Sequence, residues 1–310
     1  MGRHVDTKQL FAPGGTTGHV LTVQSNDTIA PEAAPGGAAT GAINGFRLTP
    51  RSDEPVPVAA RYTSTIYLTP FTSGTIDLYD GSKWVSLTSG EVSLALSSLT
   101  SGKNYDVFAY DSSGTLTLEL HGWVSNTWRA TQLVRQDGIW CKTGALTRRY
   151  VGTIRTTGTN TTEDTPEQQF VWNAYNRVFR AYTSGGAGVA PLDPVLGAGF
   201  VTMVSSGGVP WQFNFVRGLD EEAVNTIATA RVSCAATAIY IMTWTLGTPG
   251  GYYSVVSGPV TSPQTLTAGF GTHLLPGIGF RSIYLKHYTA TAATAMDATY
   301  IPIMSMTTRN

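Results

Sequence analysis

The sequence predicts an all-β protein in which an extended N-terminal segment precedes two antiparallel β domains. Three observations predict this class: the 310-residue chain contains 34 glycines, only 13% of its residues are charged, and Thr and Ser are abundant whereas Glu and Lys are scarce. Thr favours strands, Gly and Ser favour turns, and Glu and Lys are typical of exposed helices. The chain length suits two domains.

Residues 1–45 form the first part and have little hydrophobic periodicity. They contain GG pairs and the run AAPGGAATGAINGF, a composition typical of an extended linker. We expect this segment to be an anchor that becomes ordered by docking or by winding with copies of itself. The N-terminus lacks the apolar region of a signal peptide.

Residues 46–183 predict a hairpin-rich β domain, because short apolar runs alternate with turn signals. Asp80-Gly81-Ser82 is a tight-turn signal, and a second turn is expected at 111–114. A third hairpin is expected at Gln136-Asp137-Gly138. The segment 89–99 alternates as a strand although it would also suit a helical turn, and we predict a strand. The faces of the second hairpin are Tyr105, Val107 and Ala109 on one strand and Leu116, Leu118 and Leu120 on the other.

Residues 184–310 follow a Gly-rich break and predict a jelly-roll-like sandwich. The expected strands are GFVTMV, PWQFNFV, ARVSCAATAIYIMTWTL, GYYSVV and RSIYLKHYTA. No Asp, Glu, Lys or Arg occurs between Arg231 and Arg281. The longest apolar part of this stretch, 232–246, is shorter than the roughly 20 residues that span a bilayer, so we expect no membrane insertion.

The charge balance excludes two classes of partner. The formal net charge is zero and the sequence pI is about 7.0, whereas nucleic acids and anionic membranes attract basic surfaces. A surface with so few charges is poorly suited to a monomer, because charged rims keep proteins apart. We therefore expect an oligomer.

Catalytic and metal-binding motifs are missing from the sequence. There is no GxSxG, HExxH or P-loop, and we expect neither enzyme activity nor a cofactor. The carboxylates at 163–167 and 220–222 are interpreted as loop or turn residues rather than an acid/base pair. The five histidines have no short spacing, so a metal site would need the fold or a trimer axis to assemble it. Cys141 and Cys234 are interpreted as buried thiols.

Aromatic residues beside Gly and Pro are the candidate contact residues. Trp211, Tyr252 and Tyr253 lie in expected loops, where an aromatic ring with a polar group suits a sugar or a protein surface. Simple packing is the alternative for all three.

Three stretches resemble bacteriophage fibre proteins. Residues 14–37, GGTTGHVLTVQSNDTIAPEAAPGG, resemble the GGTTGQVLxKxSxxDxxxxWxxPGG segment near the start of tail-fibre and other virion fibre proteins. The candidate virion-anchor residues are Phe11, Gly14, Gly15, Gly18, Val20 and Leu21. Residues 45–178, including IYLTPFTSGTIDLYDGSKW, NYDVFAYDSSGTLTLEL and GALTRRYVGTIRTT, resemble a module of many phage structural proteins. GLDEEAVNTIATARVSC and GFGTHLLPGIGFRSIYL resemble the jelly-roll-like part that often follows it.

The resemblance implies a virion protein, a homotrimer that docks on the particle through its N-terminus and exposes its C-terminal domain to a host-surface glycan or protein. A tail fibre or adhesin is the first hypothesis, and a capsid-attached head fibre or decoration protein is the alternative within the same class. A glycan-degrading tailspike and a lectin-like binding module are the alternatives from other classes. A tailspike usually needs a long repeated β-helix, and no internal repeat is present.

Overall fold

A computed structural model of the chain describes residues 20–23, 29–32, 41–184, 195–196, 199–202, 210–221, 224–234, 238–245, 253–257, 260–273, 277–289, 294–296 and 303–309. Side-chain surroundings are described for 41–182, 210–221, 224–227 and 277–285. The described residues form 27 β-strands and no helix, which confirms the predicted all-β class. It follows that none of them belongs to a helix able to cross a membrane.

The strands up to residue 184 are β1 (Val20–Val23), β2 (Ile29–Glu32), β3 (Phe46–Thr49), β4 (Arg61–Thr63), β5 (Thr65–Pro70), β6 (Thr75–Tyr79), β7 (Trp84–Thr88), β8 (Val92–Ala95), β9 (Asn104–Ser112), β10 (Thr115–Gly122), β11 (Leu133–Gln136), β12 (Ile139–Lys142), β13 (Ala145–Gly158), β14 (Thr161–Asp164), β15 (Gln168–Gln169), β16 (Val171–Asn173) and β17 (Phe179–Ser184). The remaining strands are β18 (Val195–Leu196), β19 (Gly199–Thr202), β20 (Gln212–Arg217), β21 (Val224–Cys234), β22 (Ala238–Thr245), β23 (Tyr253–Ser257), β24 (Val260–His273), β25 (Gly279–Thr289), β26 (Thr294–Met296) and β27 (Ile303–Arg309).

The first hydrophobic core lies between two layers of strands and makes the domain sandwich-like. One layer contains the sheet β3-β5-β8 and the hairpin β6-β7, and the other is the β10-β9-β13 part of a 14-stranded sheet. Strands of both layers supply alternate residues, because successive side chains point to opposite faces. The core includes Phe46, Leu48, Ile66, Leu68, Ile76, Leu78, Tyr105, Val107, Ala109, Leu116, Leu118, Val151 and Ile154.

All three predicted hairpins are confirmed. β6 pairs with β7, β9 with β10 and β11 with β12. In the second and third turns both central residues have positive φ: 54° and 86° at Ser113 and Gly114, and 50° and 86° at Asp137 and Gly138. This is the type I′ geometry whose twist matches a two-residue hairpin. The predicted strand within 89–99 is β8.

A second core covers the opposite face of β9 and β13. Phe108, Tyr150 and Trp172 pack there with Val216 and Leu219, which follow in sequence the Gly-rich break at 184–188. The predicted parts 46–183 and 184–310 are thus joined by shared packing.

The large sheet also continues between these two parts. β15 pairs with β20 in parallel, whereas its other neighbour β14 and the next pair, β20 with β25, are antiparallel. The sequence predicted antiparallel strands alone. The long connection between the two strands permits this parallel pairing, which a short hairpin would not.

The C-terminal strands lie in two sheets. β25, β22 and β23 extend the 14-stranded sheet, and β17, β27, β21, β26 and β18 form a six-stranded sheet in which β24 also pairs with β21. Four of the five predicted strand regions correspond to β19, β20, β23 and β25, whereas the region 230–246 contains the end of β21 and all of β22. β21 begins at Val224, shortly after the carboxylates at 220–222.

The N-terminal segment contains a hairpin that the sequence did not predict. Val20 and Leu21 lie on β1, opposite Glu32 and Pro31 of β2. Residues 43–45 attach to the first sandwich, since Asp77 N–H donates to the Ile43 carbonyl over 3.0 Å and Gly45 N–H donates to the Thr75 carbonyl over 2.8 Å.

Candidate functional site

The loop between β10 and β11 exposes two apolar side chains. In this tip loop, residues 124–128, the exposed fraction is 70% for Val124 and 65% for Trp128. The residues on either side, Trp123 and Arg129, are buried and face each other in an isolated β-bridge. The chain therefore leaves and re-enters the core at one place, and the tip loop projects between these two points.

Hydrogen bonds within the tip loop fix its conformation. The N–H groups of Val124 and Ser125 donate to the Trp128 carbonyl over 2.9 and 3.2 Å. The Thr127 N–H donates to Ser125 Oγ over 3.3 Å. The loop is closed on itself, so the Trp128 backbone has little freedom to move away from the surface.

Asn126 fastens the base of the tip loop to two other elements. Its backbone carbonyl accepts from Phe280 N–H and from Asn104 Nδ2, both over 2.8 Å. Its side-chain carbonyl accepts from Arg155 Nη1 over 2.9 Å. Burial lowers the pKa of the Arg155 guanidinium to about 10, so Arg155 remains a charged donor at neutral pH.

Arg129 makes several hydrogen bonds beneath the tip loop. Its Nε and Nη2 donate to the two carboxylate oxygens of Asp106 over 2.7 and 3.2 Å. Nη2 also donates to the Gly218 carbonyl over 2.5 Å. The guanidinium lies 4.5 Å from the Trp123 ring centroid. Burial opposes the charge of Arg129, but Tyr150 and Asp106 together raise its pKa.

Other arginines of the described part are also buried with backbone or carboxylate acceptors. Arg149 Nη1 donates to the carbonyls of Ile43 and Asp77, and Arg47 donates to the carbonyls of Pro55 and Asn176. A guanidinium can bridge several acceptors because its donors form a rigid fork. Some of the few charged side chains of the chain therefore lie in the interior, so its surface carries fewer charges than the composition indicates.

Several further large apolar side chains are exposed on the described surface. They are Ile43, Val58, Tyr62, Phe71, Val85 and Phe179. Isolated exposed apolar residues are common on proteins. The tip loop differs because two of them share one short, hydrogen-bonded loop.

A cleft of about 350 Å³ lies beside the β6-β7 hairpin. Its walls are Leu78, Tyr79, Asp80, Val85, Leu87, Asp111, Thr147 and Arg148. Asp80 accepts hydrogen bonds from Ser82 and Lys83 N–H, which lower the pKa of its carboxyl, and Asp111 accepts from Gly114 N–H. Both carboxylates therefore cap the turns in which they lie.

The carboxylates at 163–167 are more buried than the sequence indicated. Glu163 is 3% exposed and Asp164 2%. Burial, with the nearby Glu167 charge, raises the pKa of Glu163. Burial also raises the pKa of Asp164, which is paired with Arg180. The expectation of a loop is wrong for these two residues. Both lie on β14, and the neighbouring strands β4 and β15 cover them.

The three predicted contact residues, Trp211, Tyr252 and Tyr253, have different outcomes in the structure. Trp211 is 2% exposed, so its ring is unavailable to a ligand in this chain, and the packing alternative accounts for it because the segment faces inward beside β25. Tyr253 is the first residue of β23, and its side chain is not described; Tyr252 lies outside the described residues. Cys141 is fully buried, as predicted, and burial raises the pKa of its thiol to about 11.

The predicted anchor residues lie mostly beyond what the structure describes. Val20 and Leu21 are on β1. The other four, Phe11, Gly14, Gly15 and Gly18, are outside the described residues. Within the described part, no three His, Cys, Asp or Glu side chains are grouped closely enough to hold a metal ion.

The sequence did not single out Trp128. The segment WVSNTWRAT places this Trp directly after Ser, Asn and Thr, which are residues typical of a turn. The same signal could have found it, since an aromatic residue in a polar turn has no strand face on which to be buried.

No protein-family model and no curated protein matches the chain. Solved structures are similar at low TM-scores. A β-porphyranase of glycoside hydrolase family 86 from Bacteroides plebeius gives 10% identity and a TM-score of 0.24 over 82% of this chain, which spans 35% of that enzyme. The structure of infectious bursal disease virus Gx strain has 10% sequence identity and a TM-score of 0.28, and the match covers 88% of this chain and 75% of that chain. A structure of carbohydrate-binding modules from the β-sandwich superfamily has 7% sequence identity and a TM-score of 0.20, and the match covers 84% of this chain and 94% of that chain. These similarities assign no function.

Proposed function

We propose that this chain is a non-enzymatic structural and interaction protein of a bacteriophage virion. It is a homotrimeric tail fibre or adhesin, docked on the particle through residues 1–45 and attaching to the host surface through exposed side chains of its β domains. A capsid-attached head fibre or decoration protein is the alternative within this class.

The observation that carries the proposal is the tip loop, which holds Trp128 exposed on a rigid base. Exposed aromatic residues at fixed positions are typical of contact surfaces. The burial of Arg129, Arg149 and Arg47 supports the same role, because a surface with fewer charges is better suited to lie against sister subunits. The phage resemblance of residues 14–37 and 45–178 supplies the virion context.

Mass and position test the proposal. Sedimentation of the purified chain should give three times its mass of 33.0 kDa, and antibody labelling should place it on intact phage particles. Labelling at the tail supports a tail fibre, and labelling at the capsid supports the alternative. A monomer that is absent from particles would overturn both.

A truncated chain tests the anchor. Deletion of residues 1–40 should leave a folded trimer, because Ile43 and Gly45, which the deletion retains, attach to the first sandwich by their own hydrogen bonds. The same deletion should abolish incorporation into particles. Incorporation at the level of the full chain would contradict the anchor assignment.

A glycan-degrading tailspike is the second candidate, and the buried Glu163 beside Glu167 is the observation in its favour. A raised pKa on one of two neighbouring carboxyls is typical of an acid/base pair. Release of new reducing ends from host polysaccharide, abolished in Glu163→Gln, would establish it. We expect no release.

A further inference from the structure

We propose that the tip loop is a saccharide-binding subsite, in which the exposed Trp128 ring stacks on one neutral pyranose. The inference rests on the proposed attachment role and assigns a ligand class to it. Nothing in the sequence patterns assigned this role to residues 124–128.

The size of the exposed patch favours a small ligand. An aromatic side chain presents about 150–250 Å² in all, and Trp128 and Val124 are the two large apolar side chains that the loop exposes. A specific protein interface needs about 800 Å² from each partner. The patch is therefore far smaller than a protein partner requires, whereas one sugar ring covers an area similar to that of an indole.

The charges around the loop favour a neutral ligand. Residues 122–128 contain no acidic or basic side chain. Two adjacent cations are committed, Arg129 to Asp106 and Arg155 to Asn104 and Asn126. Among the described residues Lys103 is a further cation near the loop, beside Gly122 at the end of β10. The loop itself offers no charge to an ionic ligand, and a polyhydroxylated neutral ring needs none.

Polar groups flank the aromatic ring as a sugar site requires. Ser125, Asn126 and Thr127 are all exposed. Arg155 can only donate, so the Asn126 carbonyl oxygen faces it and the amide nitrogen is the group that Asn126 offers to a ligand. A ring with hydroxyl groups can stack its apolar face on Trp128 and exchange hydrogen bonds with these side chains.

The rigid base reduces the entropic cost of binding. The loop is closed by the bonds from Val124 and Ser125 to the Trp128 carbonyl and fastened through Asn126 to two other elements. Preorganised aromatic residues bind with less loss of conformational entropy than mobile ones. One sugar on one ring still binds weakly, with a dissociation constant of about 1 mM. Three copies on a trimer would raise the avidity by about 10²–10⁴.

The experiment uses the full chain and two sets of probes: immobilised bacterial lipopolysaccharides and capsular polysaccharides, and free neutral monosaccharides titrated at millimolar concentration with detection by saturation-transfer NMR. We expect saturable binding to at least one polysaccharide, and transfer to the matching monosaccharide. Trp128→Ala should weaken polysaccharide binding at least tenfold, and Trp128→Phe should retain part of it.

Tyr62→Ala is the matched control, because Tyr62 is also an exposed aromatic residue, 72% exposed, on a different element. It should bind as the unchanged chain does. Unaltered sedimentation and circular dichroism of all three variants keep the comparison valid. Equal binding by Trp128→Ala and the unchanged chain, or no binding to any probe, would overturn the inference.

The outcome is separable from that of the proposed function. A trimer on the virion that binds no saccharide contradicts the subsite alone. A monomer absent from particles that binds sugar through Trp128 contradicts the virion role and leaves the subsite in place.

Discussion

Arg129 connects the tip loop with the second hydrophobic core, because its guanidinium contacts Tyr150. It pairs with Asp106 at 2.7 Å, and its side chain is 4% exposed. Removing one partner of a buried pair leaves the other charge without compensation, which is far more costly than loss of a surface pair.

Arg129→Met should therefore lower the free energy of unfolding by about 3–5 kcal/mol. The measurement is the urea midpoint, and the matched control is Arg51→Met, which removes a 3.0 Å pair with Glu54 at a side chain that is 50% exposed. The control should cost about 1 kcal/mol or less. Equal losses in the two variants would contradict the assigned role of Arg129.

The pKa shifts of Glu163 and Glu91 have opposite signs, so the two residues should make the stability of the fold depend on pH in opposite ways. Burial, followed by the Glu167 charge, raises the pKa of Glu163, so the folded state holds this proton to higher pH than the unfolded state does. Its contribution to stability is present below the ordinary Glu pKa and is lost as pH rises through the raised value. Burial also opposes ionisation of Glu91, but hydrogen bonds from Ser52, Thr69 and Asp53 lower its pKa.

Glu163→Gln should consequently raise the melting temperature at pH 7 and have a smaller effect near pH 4. Glu91→Gln should lower the melting temperature at pH 7, because a depressed carboxyl pKa contributes stability that is lost only as pH falls. Calorimetry of both variants at the two pH values checks the signs. A gain for Glu163→Gln that is larger at the acidic pH would refute the assignment.

At the scale of elements, the hairpins depend on turn residues with positive φ. Gly114 has φ 86° and nothing within 4 Å of an added Cβ, so substitution there costs backbone strain without a clash. Gly90 has equal space and no positive φ in its turn. The two glycines therefore separate conformational strain from steric fit.

Gly114→Ala should cost about 1–2 kcal/mol, the penalty for an L-residue in the left-handed region. Gly90→Ala should be within about 0.5 kcal/mol of the unchanged chain. Thermal unfolding of both proteins compares them directly. If the two alanines are equally tolerated, the turn geometry does not limit the β9-β10 hairpin.

At the scale of the whole molecule, the two predicted domains share a core. Tyr150 and Trp172 pack against Val216 and Leu219, and Gly218 lies so close that an added Cβ would overlap Tyr150 Oη and the Trp172 ring. Both rings are rigid and buried, so neither can yield without moving the strands beneath it.

Gly218→Ala should accordingly destabilise residues 46–183 from outside them, by about 1–3 kcal/mol as for an overpacked core. Calorimetry should record one shifted transition, because the packing couples the two parts. A shift confined to a second, separate transition would indicate that the parts unfold independently.

The hairpins and strand class were predictable from the sequence because their signals are local. Asp137-Gly138 and Ser113-Gly114 specify turns from adjacent residues, and the alternation of Tyr105, Val107 and Ala109 specifies the face that is buried. Strand β24 was missed, since its Pro263, Gly269 and Gly271 are residues that usually end or interrupt strands.

The candidate site was less predictable than the fold. Trp211 and Trp128 both follow residues typical of turns, yet one is 2% and the other 65% exposed. Burial of a loop residue depends on which distant strands cover it, and no local pattern contains that information. Glu163 is a similar case, because β4 and β15 enclose it from opposite sides.

The all-β class, the hairpins, the burial of Cys141 and a surface short of charge follow from local sequence, because composition, period-two alternation and turn chemistry act between neighbouring residues. The positions of the arginines, the parallel pairing of β15 with β20 and the exposure of Trp128 rather than Trp211 follow only from the folded chain. These outcomes depend on contacts between residues such as Arg129 and Gly218, which are 89 positions apart, and chain folding alone brings such residues together.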